Sequence, residues 1–306
     1  MTRKRKALAG SLTLAVVGLA LSLSRTVAAD GSVPANGLVV LLTDYGSADG
    51  YPGILKGVVM SANPNARLFD ATHDVPSFDV AQASFLLAQV APDWPAGTTF
   101  VVVVDPGVGS ARERIALRTW PDGKLYVGPN NGVFTDIAAR SERCEARLLT
   151  NEQYRRPGVV SSTFHGRDWF GPVGGHLSAG VPFESLGEPT ALVTLNRPAP
   201  RQQGGQVSGT VLYADHYGNL LTNIPHALLV QAGLQVGQAL EVSVANGTWV
   251  PLPWVDTYSS VARGKLLLTT HNALRGVEIA VNYGSARERL KAKAGQTLRL
   301  RAAGGR

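Results

Sequence analysis

The chain has 306 residues, 44% of them hydrophobic and 17% charged, which excludes a disordered or fibrous protein and allows two domains with a sizeable core. The net charge of +7 is concentrated at the start: residues 1–29 carry five cations (Arg3, Lys4, Arg5, Lys6 and Arg25) and no acid, so the remainder carries +2 and charge gives no support to nucleic-acid binding. The single cysteine, Cys144, excludes an intrachain disulfide and a cysteine-based metal site.

In chain order, a basic head (Met1 to Lys6), an apolar run from Ala7 to about Leu23 and the small residues Val27-Ala28-Ala29 predict a secretory signal peptide over residues 1–29, cleaved near Ala29, and hence a periplasmic or secreted protein. Ser11, Thr13 and Ser22 interrupt the apolar run, which argues against a stable membrane anchor. Gly37 to Thr43 predicts a buried strand that stops at Asp44 and Tyr45. Helical spacing over Ser47 to Ala62, a short strand Arg67 to Asp70 and a helix Val80 to Val90 follow. Val101 to Val104 cannot alternate between a wet and a dry face, so Thr98 to Val104 predicts a central parallel strand buried on both sides. It ends at Asp105, where Pro106 and Gly107 force a turn; Arg112 follows within one short loop and could return to face the carboxylate, as a plain loop ion pair or as part of a site. Lys124 to Val127 reads as another strand, Gly128 to Gly132 as a turn, and the run after Ser162 to Asp168 as helical near its end at Gly180.

Strands alternating with helices predict an α/β N-terminal domain over residues 37–195 with a largely parallel central sheet. Residues 196–205, rich in proline and amides, read as a linker. Short alternating strands at Gln206–Ala214, Ala239–Val244, Trp249–Leu252, Lys265–Thr270, Val277–Val281 and Thr297–Arg301 predict a smaller antiparallel β domain over residues 206–304.

Three carboxylates, Asp44, Asp70 and Asp105, end consecutive predicted strands, at the sheet edge where α/β folds place ligands. His165, beside Gly166 and followed by Arg167 and Asp168, is a candidate acid–base group. Asn219, in the turn Asp215-His216-Tyr217-Gly218-Asn219, carries the donor and acceptor that a purine edge requires. No G-x-G-x-x-G follows the first strand, and there is no H-E-x-x-H, His-x-x-x-His or nucleophile elbow, so a dinucleotide site, metal catalysis and a serine hydrolase are not supported.

Six ordered motifs carry a family resemblance: Leu42-Thr43-Asp44-Tyr45-Gly46, Asp70-Ala71-Thr72-His73, Val104-Asp105-Pro106-Gly107-Val108-Gly109, Gly128-Pro129-Asn130-Asn131-Gly132, Thr163-Phe164-His165-Gly166-Arg167-Asp168 and Tyr217-Gly218-Asn219-Leu220-Leu221-Thr222-Asn223-Ile224. Together, over about Gly37 to Ala286, they resemble the S-adenosyl-L-methionine (SAM) hydroxide adenosyltransferases, adenosine-forming SAM hydrolases related to fluorinase and chlorinase. The resemblance implies a homotrimer with active sites between subunits, SAM as substrate, and neither cofactor nor metal. It implies Asp105, Arg112 and His165 as the catalytic triad, with Asp105 fixing the geometry, Arg112 stabilising hydroxide and His165 accepting or relaying a proton. It further implies Asp44 on the ribose, Asp215 on the methionine end, and Asn219 with backbone near Asn282 on the adenine; Tyr45 or Phe78 is a candidate aromatic face for the sulfonium.

Within that family, halogenases carry a small hydroxyl residue where this chain has Gly166. Fluorinase adds a loop after its counterpart of the valine strand and lacks the Asp, whereas this chain has Asp105 and a short connection from Arg114 to Lys124. Both features favour water as nucleophile. The alternatives are a halide-using SAM 5′-halogenase and a non-catalytic periplasmic adenosine- or SAM-binding protein.

Overall fold

A computed structural model describes residues 33–271 and 276–304. The expected signal peptide lies outside the described residues, among which no helix is long and apolar enough to cross a membrane.

The first sheet is built from β1 (Leu38–Thr43), β2 (Arg67–Thr72), β3 (Thr99–Val103), β4 (Arg114–Trp120), β5 (Leu125–Pro129), β6 (Arg143–Leu148) and β7 (Pro189–Thr190), in the order β2-β1-β3-β5-β4-β6-β7. Every residue of β1 and β3 is buried, because each strand sends alternate side chains into two separate cores. Val39, Leu41, Val101 and Val103 meet Leu55 and Val59 of α1 (Tyr51–Ala62) and Val173 and Leu177 of α4 (Gly171–Ser178). Val40, Leu42, Phe100 and Val102 meet Ala83 and Leu87 of α2 (Val80–Val90) and Ile137 of α3 (Thr135–Arg140). β1 and β3 pair in parallel with Thr43 opposite Val103, so Asp44 and Asp105 leave the sheet at the same edge.

The central sheet is mixed rather than largely parallel. Pairing is parallel along β2-β1-β3-β5, but β4 is antiparallel to β5 and β6, and β7 to β6. The source of the difference is β4, a strand where the sequence suggested only a connection; it turns back through residues 121–123 and must therefore run against β5. Asp70 lies inside β2 and not at its end.

The second sheet contains β8 (Arg201–Gln203), β9 (Gln206–Ala214), β10 (Leu220–Thr222), β11 (Ala239–Val244), β12 (Val250–Pro253), β13 (Leu266–Thr269), β14 (Glu278–Val281) and β15 (Thr297–Ala302). The order is β12-β11-β15-β9-β10-β14-β13, every pair antiparallel, with β8 also on β9. Val255 N–H donates to Leu268 O at 2.9 Å beside a Trp254–Leu268 bridge, which brings the two ends of the sheet together as a barrel. Val207, Val211, Leu220, Ile279, Leu298, Leu300 and Trp254 fill it. Two short helices, α5 (His226–Gln231) and α6 (Ala286–Leu290), decorate the barrel. Composition marks 196–205 as a linker, yet its last part is β8, zipped onto β9.

Candidate active site

Asp105 stands two residues beyond β3. Val108 N–H donates to Asp105 O at 3.2 Å, and Ser110 N–H and Oγ to Gly107 O at 3.1 and 2.7 Å, so two consecutive turns reverse the chain within seven residues. Arg112 N–H then donates to Ser110 Oγ at 3.2 Å, and its side chain lies back across the loop onto Asp105. Nε donates to Oδ1 at 2.7 Å and an Nη2 hydrogen goes to Oδ2, a two-point ion pair whose side chains are 10% and 6% exposed.

His165 arrives from a distant loop. Gly109 has φ +80°, and a Cβ there would overlap the Ser162 carbonyl oxygen, so glycine lets the Asp105 loop touch the 161–165 loop. Asp168, fully buried, fixes that second loop: it takes Arg167 Nε and Nη2 at 2.7 and 2.9 Å and Ser161 N–H at 2.7 Å. Burial alone would raise the Asp168 carboxyl; the bonds from Arg167 and Ser161 outweigh it and leave it below the usual carboxylate range. Arg167 and Asp168 thus anchor the loop, and the ring of His165 is oriented instead by Arg112 and by Phe170, whose ring meets it edge-on at 6.5 Å.

Arg112 Nη2 is 2.9 Å from His165 Nδ1. A guanidinium only donates, so Nδ1 accepts, and the hydrogen of the neutral ring sits on Nε2. Burial, then the cations of Arg112 and Arg114, hold the imidazole below its ordinary value. Asp105, Arg112 and His165, distant along the chain, therefore form one contact around a neutral Nε2–H donor. Of the two roles expected for His165, accepting or relaying a proton, direct acceptance at Nδ1 is blocked because that nitrogen is already engaged by a cation.

A cavity of about 360 Å³ opens beside the triad, lined by Tyr45, Tyr51, Asp105, Phe164, His165 and Gly166 among others. The Tyr45, Tyr51 and Phe164 rings pack mutually at 5.4 to 6.0 Å, with Phe164 edge-on to both tyrosines. Tyr51 and the ring cluster were missed as a unit in the sequence; the FHGRD motif was the signal for Phe164. Asp44 and Phe78 are not among the residues lining this cavity; Asp44 Oδ2 accepts the Phe78 N–H at 2.9 Å, with Phe78 at φ +67° and 71% exposed. Asp70 is turned to other work: Lys56 Nζ lies 2.6 Å from Oδ2 and His73 Nε2 3.0 Å from Oδ1.

A second cleft, about 730 Å³, lies on the barrel and is lined by Asp215, Tyr217, Asn219, Tyr258, Asn282, Tyr283 and Glu288 among others. Asp215 accepts Asn219 N–H at 2.8 Å and its Nδ2 at 2.9 Å, which leaves the Asn219 amide oxygen available. Asn282 gives its side-chain amide to Val261 O at 2.7 Å and its backbone N–H to Lys265 O at 3.1 Å, so its own donors hold the 261–265 loop. Tyr258, unmarked in the sequence, donates to the buried Glu278 at 2.5 Å. The two clefts have no lining residue in common. Among the described residues, no group of three or more His, Cys, Asp or Glu is placed to hold a metal ion.

An α/β domain bearing an Asp–Arg–His cluster at the end of a parallel strand, followed by a β barrel with its own cleft, defines a two-domain enzyme class. The SAM hydroxide adenosyltransferase N-terminal domain matches residues 39–187, and the C-terminal domain of the same name matches residues 209–299. The chain belongs to that family. It is 38% identical over 272 residues to the (R)-S-adenosyl-L-methionine hydrolase of Salinispora tropica (85% of this chain, 96% of the relative), and 35% identical over 270 residues to that of Thermus thermophilus (86% and 98%). A fluorinase of Actinoplanes sp. is 27% identical over 259 residues, covering 76% of this chain and 87% of the fluorinase. A crystal structure of an uncharacterized conserved protein from Thermotoga maritima superposes with a TM-score of 0.82 at 34% identity, covering 86% of this chain and 99% of that one.

Proposed function

We infer that the protein hydrolyses SAM to adenosine and L-methionine by attack of water on the ribose C5′. The observation that carries this reading is the contact of Asp105, Arg112 and His165 at the carboxyl end of β3, in a chain of this family. The sulfonium of SAM is a built-in leaving group, so the protein's task is to place a water in line with the C5′–S bond and take up its proton. His165 Nε2–H donates to that oxygen. Arg112 spends its Nη2 hydrogens on Asp105 and His165, so it acts by holding the carboxylate and the ring in place around the water. Each Asp105 oxygen keeps a second lone pair. As the C–O bond forms, the water becomes an oxonium far more acidic than a carboxylic acid, and Asp105 takes one of its protons. The C5′–S electron pair leaves with sulfur as a neutral thioether.

The substrate is held in two parts. Asp44, one residue beyond β1 and next to Tyr45 in the chain, receives the ribose hydroxyls by the family resemblance, and the Tyr45, Tyr51 and Phe164 rings of the cavity offer their faces to the sulfonium. On the barrel, Asp215 takes the methionine amine and the free Asn219 oxygen the adenine amine, with Tyr258 and the backbone beside Asn282 completing the purine pocket. The clefts share no residue within one chain, which supports a homotrimer in which one subunit's triad faces its neighbour's barrel. We further propose export of the protein by the basic and apolar segment at residues 1–29; fractionation of the host cell tests it.

The experiment is incubation of the purified protein with SAM, with and without chloride, followed by chromatography. Adenosine and methionine at equal rates in both arms are expected. A chloride-dependent 5′-halogenated nucleoside would select a halogenase, and SAM binding without turnover a binding protein.

A further inference from the structure

The Tyr45 hydroxyl stands out in the catalytic cavity. It has no hydrogen-bond partner among the described residues, although the ring is packed between Tyr51 and Phe164. Of the other hydroxyls of the lining, those of Ser161 and Thr163 are 3.2 Å apart and bonded to each other, while that of Tyr51 also has no partner among the described residues, so it is the contact with Gly166 that sets Tyr45 apart. The position of the phenol oxygen is fixed by Gly166, the residue after His165: a Cβ there would overlap that oxygen, while its next neighbours, Val103 Cγ1 and Tyr45 Cζ, would be at 3.3 and 3.4 Å. The free hydroxyl therefore lies against the backbone that carries the catalytic imidazole, in the cavity that Asp105 also lines.

We propose that the Tyr45 hydroxyl is a further catalytic group, its oxygen accepting one hydrogen of the attacking water while Asp105 accepts the other, so that one lone pair of the water meets His165 Nε2–H and the second faces the ribose carbon. This deepens the reading of the cavity as the site of water attack and rests on it. No proton changes hands at Tyr45. The O–C5′ bond forms, the C5′–S pair leaves with sulfur, one water proton passes to Asp105, and the other stays on the new 5′-hydroxyl, hydrogen-bonded to the phenol oxygen. Burial first, then the carboxylates of Asp44 and Asp105, raise the phenol well above its ordinary value, so it keeps its hydrogen across the working pH range. Glycine at 166 follows from the same geometry: the hydroxyl occupies the space of a side chain there.

The test uses the full protein, SAM, and three variants: Tyr45→Phe, Gly166→Ala and the double substitution. Tyr45→Phe removes only the oxygen and should lower kcat about a hundredfold with KM for SAM moved less than about threefold. Gly166→Ala should lower the melting temperature by about 3 °C or more, and Tyr45→Phe on that background should restore most of it, since the remaining contacts at 3.3 and 3.4 Å are tolerable. Wild-type kcat in Tyr45→Phe would overturn the proposal and leave the hydrolase reading standing. Failure of the double substitution to recover stability would refute the placement of the hydroxyl. Absence of adenosine from the wild-type protein would remove the underlying reading and the proposal with it.

Discussion

His165 is a case where the identity of the neighbouring donor decides the chemistry. With Nδ1 held by Arg112, protonation at Nδ1 would set two N–H groups against each other with their nitrogens 2.9 Å apart, so the site works only with the ring neutral. Burial and the two arginines lower the ring's pKa from the usual value of about 6.5, so the rate should stay level as pH falls through that value and decline only below it. Stability follows the same sign: between the ordinary and the lowered pKa the unfolded chain binds more protons, so stability is lost as pH falls there. A pH–rate profile from about pH 4 to 8 checks this, and half-maximal activity at or above the ordinary imidazole value would contradict it. Asp105→Asn removes the proton acceptor and one half of the ion pair while keeping the shape. The expected result is a fall in kcat of roughly a hundredfold or more, with KM for SAM little changed, in steady-state kinetics.

The element that matters most is the loop from Asp105 to Arg112, because it must reverse the chain and press against the 161–165 loop together. Gly109→Ala places a Cβ on the Ser162 carbonyl in a backbone region alanine avoids; a loss of about 1–3 kcal/mol is expected in urea unfolding, with kcat falling as the two loops separate. The strands on either side differ in how plainly the sequence announces them. β1 and β3 are legible because an unbroken apolar run has one stable home, a parallel strand between two helical layers. β4 is not, because Arg114 and Arg118 break its apolar pattern; in the folded chain their guanidinium groups lie on Trp169 and Trp120 at 4.3 and 4.6 Å, so charge that reads as solvated is covered by rings. β10 is hidden for another reason: three residues inside a motif rich in turn formers carry no periodicity of their own. Asp70 read as a ligand-edge carboxylate because a β2 ended at residue 70 looks complete, whereas the strand runs two residues further and Lys56 and His73 claim the side chain.

At the scale of the molecule, Asp105 and His165 stand in two of the ordered motifs and Arg112 just beyond the first, and the three side chains meet as expected, but what surrounds them was not legible. Tyr45, Tyr51 and Phe164 meet only through the packing of α1 beside the sheet edge, and Tyr258, on a short helical turn between β12 and β13, meets Glu278 of β14. The separation of the two clefts is likewise a property of the folded chain, and it carries the largest prediction. If the sites form between subunits, His165→Ala and Asn219→Ala proteins, each inactive alone, should regain roughly a quarter of wild-type activity when co-expressed, because a mixed trimer pairs an intact triad with an intact barrel. A self-contained site would give no recovery. Light scattering should find a trimer in the same sample.

In the proposed reaction a water oxygen replaces sulfur on the ribose carbon. Turnover of SAM in water enriched in the heavy oxygen isotope, with mass spectrometry of the nucleoside product, tests it most directly. Adenosine labelled at its 5′-hydroxyl in the wild-type protein, and strongly diminished in Asp105→Asn, is the expected result; adenosine without the label, or none at all, would contradict the account.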